Sequence, residues 1–127
     1  MQVERLDHLV LTVADMGATI AFYEKVMGMR TLSFGAGRKA MAFGQSKINL
    51  HPAQAPFKPN AACPMPGSAD LCFIVSTPLA QVVKHLAACG VAIEDGPGER
   101  SGALGPIMSV YFRDPDHNLI EVSNYAQ

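Results

Sequence analysis

Apolar and polar positions along this chain follow one design twice. The first copy opens with the run HLVLTV from His8, the second with DLCFIV from Asp70. Each reads as a strand with a polar residue at its head. In a strand over 6–13, His8, Val10 and Thr12 share one face while Leu9, Leu11 and Val13 share the other. The period then changes from two to 3.6. Met16, Ile20, Tyr23 and Met27 make an apolar stripe that predicts a helix over 16–27. Asp15 is placed to cap its start, and Gly28 to supply the left-handed turn at its end. The second copy repeats this after a strand over 69–75. Pro78 suits a first helical turn, Leu79, Val82, Val83 and Leu86 form the stripe, and Gly90 ends it.

Short strands complete each copy. In the first they are expected over 30–34, 39–43 and 47–51, with glycine-containing turns at 35–37 and 44–46. In the second they are expected over 91–94, 108–112 and 119–123. A tight turn through Asp114-Pro115-Asp116 joins the last two. Residues 95–105 read as a Gly-rich loop of a length often used as a functional lid. Residues 52–67 hold five of the nine prolines, show little periodicity and read as an extended connector. The expected fold is α+β. Two βαβββ modules, over 5–51 and 68–125, form a cupped mixed sheet within one domain spanning 1–127.

Composition narrows the function classes. The chain has 127 residues, long enough for a hydrophobic core, and 49% hydrophobic against 17% charged residues argues against disorder. Net charge is −1 with no basic stripe, so a nucleic-acid partner is not expected. No apolar run approaches the roughly 18 residues of a membrane span, and 1–8 lack the apolar core of a signal peptide. Three cysteines without CxxC spacing suggest neither a disulfide framework nor a zinc knuckle, and point to a reducing cytoplasm.

Candidate chemistry sits on the polar strand positions. His8 lies on a strand whose opposite face is apolar. Asp70 shares a face with Cys72 and Ile74, and Glu121 with Leu119 and Ser123. A carboxylate inside a half-buried strand is disfavoured unless paired or metal-bound. Imidazole with carboxylates suits Zn, Ni, Fe or Mn. His85, off its helix stripe, and His117, in a turn, read as structural. The glycines after residue 95 do not match a phosphate loop, because no Lys-Ser/Thr follows them. Arg38, Lys39, Arg100 and Arg113 are candidates to anchor an anion.

The strand HLVLTV, a helix ending FYEKVMGM, and the late motif FRDPDHNLIEV together resemble the vicinal oxygen chelate superfamily. That group includes glyoxalase I, fosfomycin- and bleomycin-resistance proteins and extradiol dioxygenases. RKAMAFG at 38–44, KINLHP at 47–52 and GPIMSVYFRDPD at 105–116 look closer still to glyoxalase domain-containing protein 5-like proteins. The resemblance implies metal ligands on the first and last strand of each module. His8 matches the first-strand position and Glu121 the last-strand carboxylate, which in glyoxalase I also serves as a catalytic base. Asp70 falls where the second module usually has a histidine. In the first module's last strand, counting favours Asn49 while ligand chemistry favours His51, two residues on. The implied metal set is therefore His8, His51, Asp70 and Glu121, with Glu121 or Asp70 shuttling a proton.

Two functions follow from the resemblance. One is a divalent-metal-dependent enzyme, a glyoxalase I-like lyase or a dioxygenase-related protein, acting on a small oxygen-chelating substrate. The other is a metal-free small-molecule binding or drug-sequestering protein of the bleomycin-resistance type. Either implies a homodimer.

Overall fold

The computed structural model describes residues 1–126. The chain divides into two compact units, Met1–Pro66 and the part from Gly67 onward. Each is built in the same order: strand, helix, three strands.

In the first unit, β1 (His8–Val13) leads to α1 (Met16–Lys25), then β2 (Arg30–Phe34), β3 (Arg38–Phe43) and β4 (Ser46–Pro52). The sheet order is β1-β4-β3-β2, with β1 parallel to β4 and the other pairs antiparallel. The Asp15 side chain accepts from the Ala18 amide at 3.0 Å and starts α1. Gly28, at φ 68°, ends it. The Met29 amide then reaches back to the Tyr23 carbonyl at 3.0 Å, which closes the last turn. The regular helix stops at Lys25, two residues before the expected end, because this closing turn takes over. Its most buried side chains are Thr19 and Tyr23, so the stripe is centred one step away from Met16 and Ile20. Leu11, Val13, Met41, Ile48 and Leu50 are buried and form the apolar side of the sheet.

The second unit repeats the plan. It runs β5 (Asp70–Ile74), α2 (Leu79–Ala88), β6 (Asp95–Gly102), β7 (Gly105–Arg113) and β8 (Leu119–Tyr125). The order is β5-β8-β7-β6, again with the first and last strands parallel. Val82 and Leu86 of α2 are buried, as are Val110, Phe112, Ile120 and Val122 of the sheet. The described residues thus form two mixed four-stranded sheets, each with one helix.

Two expectations for the second unit fail. Residues 91–94 are not a strand, and the expected lid over 95–105 is the β6–β7 hairpin, turning between Gly102 and Gly105. The reason is position. β6 is an edge strand with β7 as its sole neighbour, and an edge tolerates Pro97 and the flanking glycines, which a central strand would exclude. The ladder shifts register between Asp95 and Gly98, so those residues sit in a bulge.

Candidate functional site

Strand pairing decides which side chains share a face. In the first unit, Val10 pairs with Asn49, Thr12 with His51 and His8 with Lys47. Asn49 pairs with Ala40, and Arg38 with Phe34. Directly paired residues point the same way. One face of this sheet therefore carries His8, Lys47, Asn49, His51, Arg38 and Phe34. Val10 and Leu32 lie among them and are exposed.

His8 is half-exposed at the head of β1, with Nδ1 2.7 Å from an Asp7 carboxylate oxygen. That hydrogen bond is the main reason the Asp7 carboxyl lies below its usual pKa. His51 is different. It is 2% exposed, and its Nε2 lies 3.2 Å from Nη2 of Arg38. Phe57, in the connector, meets the imidazole edge-to-face at 5.3 Å. The Arg38 guanidinium lies over the rings of Phe34 and Phe57, at 5.1 and 4.7 Å. Burial first, and the Arg38 charge second, push the His51 pKa down, so the ring is neutral near pH 7.

In the second unit, Cys72 pairs with Glu121, Ile74 with Ser123, and Asp70 with Leu119. Glu121 accepts from the Ser109 hydroxyl at 2.5 Å and from that of Ser123 at 3.4 Å. The two hydroxyls are 2.7 Å apart, and Cys72 Sγ lies 3.4 Å from Ser123. Tyr111 stands directly across from Glu121. Burial, then the Glu121 charge, raise its phenol pKa. Desolvation likewise raises that of the Cys72 thiol, more than its Ser123 hydrogen bond lowers it. Cys72 is therefore a protonated thiol and a poor nucleophile. Asp70 is exposed, one pleat repeat from the strand position facing Glu121.

Of the four expected anion anchors, two are already engaged by carboxylates. Arg100 donates to Asp95 at 3.1 Å, and Arg113 makes a two-pronged contact with Glu94 at 3.0 and 2.8 Å. Lys39 pairs with Leu50 on the opposite sheet face and donates to Ser33. Arg38 faces His51.

The profile of the Glyoxalase/Bleomycin resistance protein/Dioxygenase superfamily matches residues 5–122. The chain belongs to this superfamily. It is 55% identical to the virulence protein STM3117 of Salmonella typhimurium over 99% of this chain and 88% of that one. The crystal structure of that protein matches with a TM-score of 0.98, covering 99% of this chain and 100% of the other. The integron cassette protein VCH_CASS1 from the V. cholerae mobile metagenome is 57% identical, with a TM-score of 0.97 over 99% and 98% of the two chains. The glyoxalase domain-containing protein RDO1 of Mycosarcoma maydis is 51% identical over 98% of this chain and 70% of its own length.

The superfamily motif FRDPDHN does structural work here. Asp114 is buried. Its carboxylate accepts from the amides of Asp116 and Asn118, each at 2.9 Å, and from the Asn118 side chain at 2.8 Å. The Asn118 oxygen in turn accepts from the Ala69 amide at 2.9 Å. The β7–β8 turn is thereby tied to the start of β5, which fixes Asp70 beside the strand that carries Glu121. His117 takes φ 65° inside this turn and is not part of the polar face.

The superfamily also implies a divalent metal, held by the residues expected above. Register resolves the open position in the first unit: Asn49 stands where Glu121 stands in the second, and His51 corresponds to Ser123. His51 faces Thr12, four residues along β1 from His8, about 13 Å at strand rise. Side chains stand roughly perpendicular to a sheet, so the two rings cannot meet on one ion. Lys47 pairs with His8 in the ladder but carries its Nζ over the Phe34 ring at 3.9 Å, and Arg38 lies beside His51, so both cations are on this face. An amide and two nearby cations suit a divalent ion poorly. Among the described residues, no group of three or more His, Cys, Asp and Glu side chains is placed to hold one. Within the first unit, His8 and His51 do not fit one shared metal ion.

Sequence reasoning did not single out Ser109, Tyr111, Phe34 or Phe57. The first three acquire their roles through pairing across the β2–β3 and β7–β8 hairpins, and Phe57 through the path of an aperiodic connector.

Proposed function

We propose that this chain is a small-molecule-binding protein of the bleomycin-resistance kind, which holds its ligand without a divalent metal. The observation that carries this is the polar face of the first sheet. There Lys47 stands across from His8, Asn49 takes the position of a ligand carboxylate, and His51 is spent on Arg38. Such a face repels a cation and attracts an oxygen-bearing anion. The test is a thermal-shift screen of small organic anions with and without a chelator. A bound ligand raises stability by mass action. The expected result is the same shift in both conditions; a shift abolished by chelator and restored by Zn, Ni, Fe or Mn would overturn the reading.

A second reading is the metal-dependent enzyme of the glyoxalase or dioxygenase type. It is supported by the Asp7–His8 contact, an arrangement that orients metal-binding imidazoles, and by the fixed Glu121 carboxylate. Glu121 or Asp70 would then serve as proton acceptor. Under this reading His8→Ala and Glu121→Ala each lower bound metal more than about tenfold.

Either reading places the protein as a homodimer in a reducing cytoplasm, for which its three free cysteines are suited. Among the described residues no helix is long and apolar enough to cross a membrane. Sedimentation at micromolar concentration checks the dimer.

A further inference from the structure

The first unit contains buried hydrogen-bonding groups without a partner among the described residues. Arginine has no acceptor atom, so in the Arg38–His51 contact the guanidinium donates and Nε2 of His51 accepts. The neutral ring then carries its proton on Nδ1. That Nδ1 is buried and has no partner. The Arg38 Nε, also a donor, is buried and without a partner too. The Asn49 side-chain oxygen, one pleat repeat from His51 on the same strand face, is a third. A buried polar group without a partner is destabilising, so three on one sheet face call for an occupant.

The two unfilled donors define its chemistry. Both are N–H groups, but they diverge: His51 turns Nε2 to Arg38, so its Nδ1–H points to the other side of the ring, and the Arg38 Nε–H lies on the edge of the permanent cation that the Phe57 ring covers. Aromatic cover removes water and strengthens any charge-assisted hydrogen bond made there. A carboxylate offers two coplanar acceptors that match the edge of a guanidinium, and exposed Val10 and Leu32 on the same face offer an apolar surface for the body of the molecule. We propose that the Arg38 guanidinium, held in place by His51 and covered by Phe57, forms a subsite for the carboxylate of a small organic acid. This names the ligand class for the binding reading above, and rests on it only in taking this face to receive the ligand.

The probe is benzoate, with inorganic phosphate as comparator. The full-length protein, labelled with nitrogen-15, is titrated while the Arg38 Nε–H and His51 Nδ1–H signals are followed by NMR. The Arg38 Nε–H signal is expected to move downfield and to saturate with benzoate, with the His51 Nδ1–H signal moving less. Arg38→Lys, which keeps the charge and loses the fork, should weaken benzoate at least about tenfold. His51→Gln provides a second variant if Arg38→Lys proves poorly folded, with the same weakening expected. An Arg38 Nε–H signal in the wild-type protein that stays fixed through millimolar benzoate would overturn the subsite, as would phosphate binding equal to benzoate. Metal content does not enter this measurement. Its failure would leave the metal-free reading standing, and a bound metal would leave a positive titration standing.

Discussion

The Ser109 hydroxyl donates to the Glu121 carboxylate at 2.5 Å across the β7–β8 pair. Ser109 is fully buried and also contacts Ser123, so the carboxylate is held from its own strand and from its neighbour. Ser109→Ala should lower stability by about 1–3 kcal/mol, the usual worth of a hydrogen bond to a charged group. Urea denaturation checks this. A change below a few tenths would mean that Glu121 is anchored by other contacts.

Gly96 governs the same anchor from the edge strand. It has φ 92°, and a Cβ there would collide with the Ser109 carbonyl. Gly96→Ala is therefore strained both in its own backbone and against the strand that carries Ser109. A loss of about 2–4 kcal/mol is expected, more than Gly-to-Ala costs at a free edge. Gly90→Ala is the control, since it also has positive φ but nothing within 4 Å of the added atom. It should cost less.

Asn118 couples the last turn to β5. Asn118→Ala removes its bonds to Asp114 and to the Ala69 amide, and should destabilise by about 2–4 kcal/mol. Amide hydrogen exchange should report faster opening at β5. Unchanged protection there would contradict the linking role.

Acidification should act through His51. Its folded-state pKa lies below the unfolded value of about 6.5, so in that range the unfolded chain binds more protons than the folded one. Its contribution to stability is present above about pH 6.5 and is lost as pH falls through that value toward the depressed folded pKa. Comparing wild type with His51→Gln from about pH 7.5 to about pH 5 isolates the effect, because the carboxylates and the other histidines are common to both. The wild type should lose more stability over this window. Equal slopes would mean that the ring is not held neutral.

Much of the fold was legible because its signals are local. The alternation in HLVLTV and DLCFIV, the Asp15 cap and the terminating Gly28 and Gly90 each act within a few residues, and β2 falls where its pattern puts it. β6 was not legible. Asp95–Gly102 has no apolar alternation, and it is a strand only because β7 offers a free edge. The site was legible as residue types and not as geometry. His8, Asp70 and Glu121 stand out by parity, but the choice between Asn49 and His51 depends on a two-residue register that sequence spacing leaves open. The Arg38–His51 contact joins residues 13 apart across a tight hairpin, and the Phe57 cover comes from a connector without periodicity.

Metal content of the untagged protein tests the central claim most directly. The protein is equilibrated in turn with Zn, Ni, Fe(II) and Mn, dialysed, and measured by elemental analysis. The account predicts far less than one equivalent of each, with no difference between wild type and His8→Ala or Glu121→Ala. One equivalent of any of these ions in the wild type, lost in both variants, would contradict it.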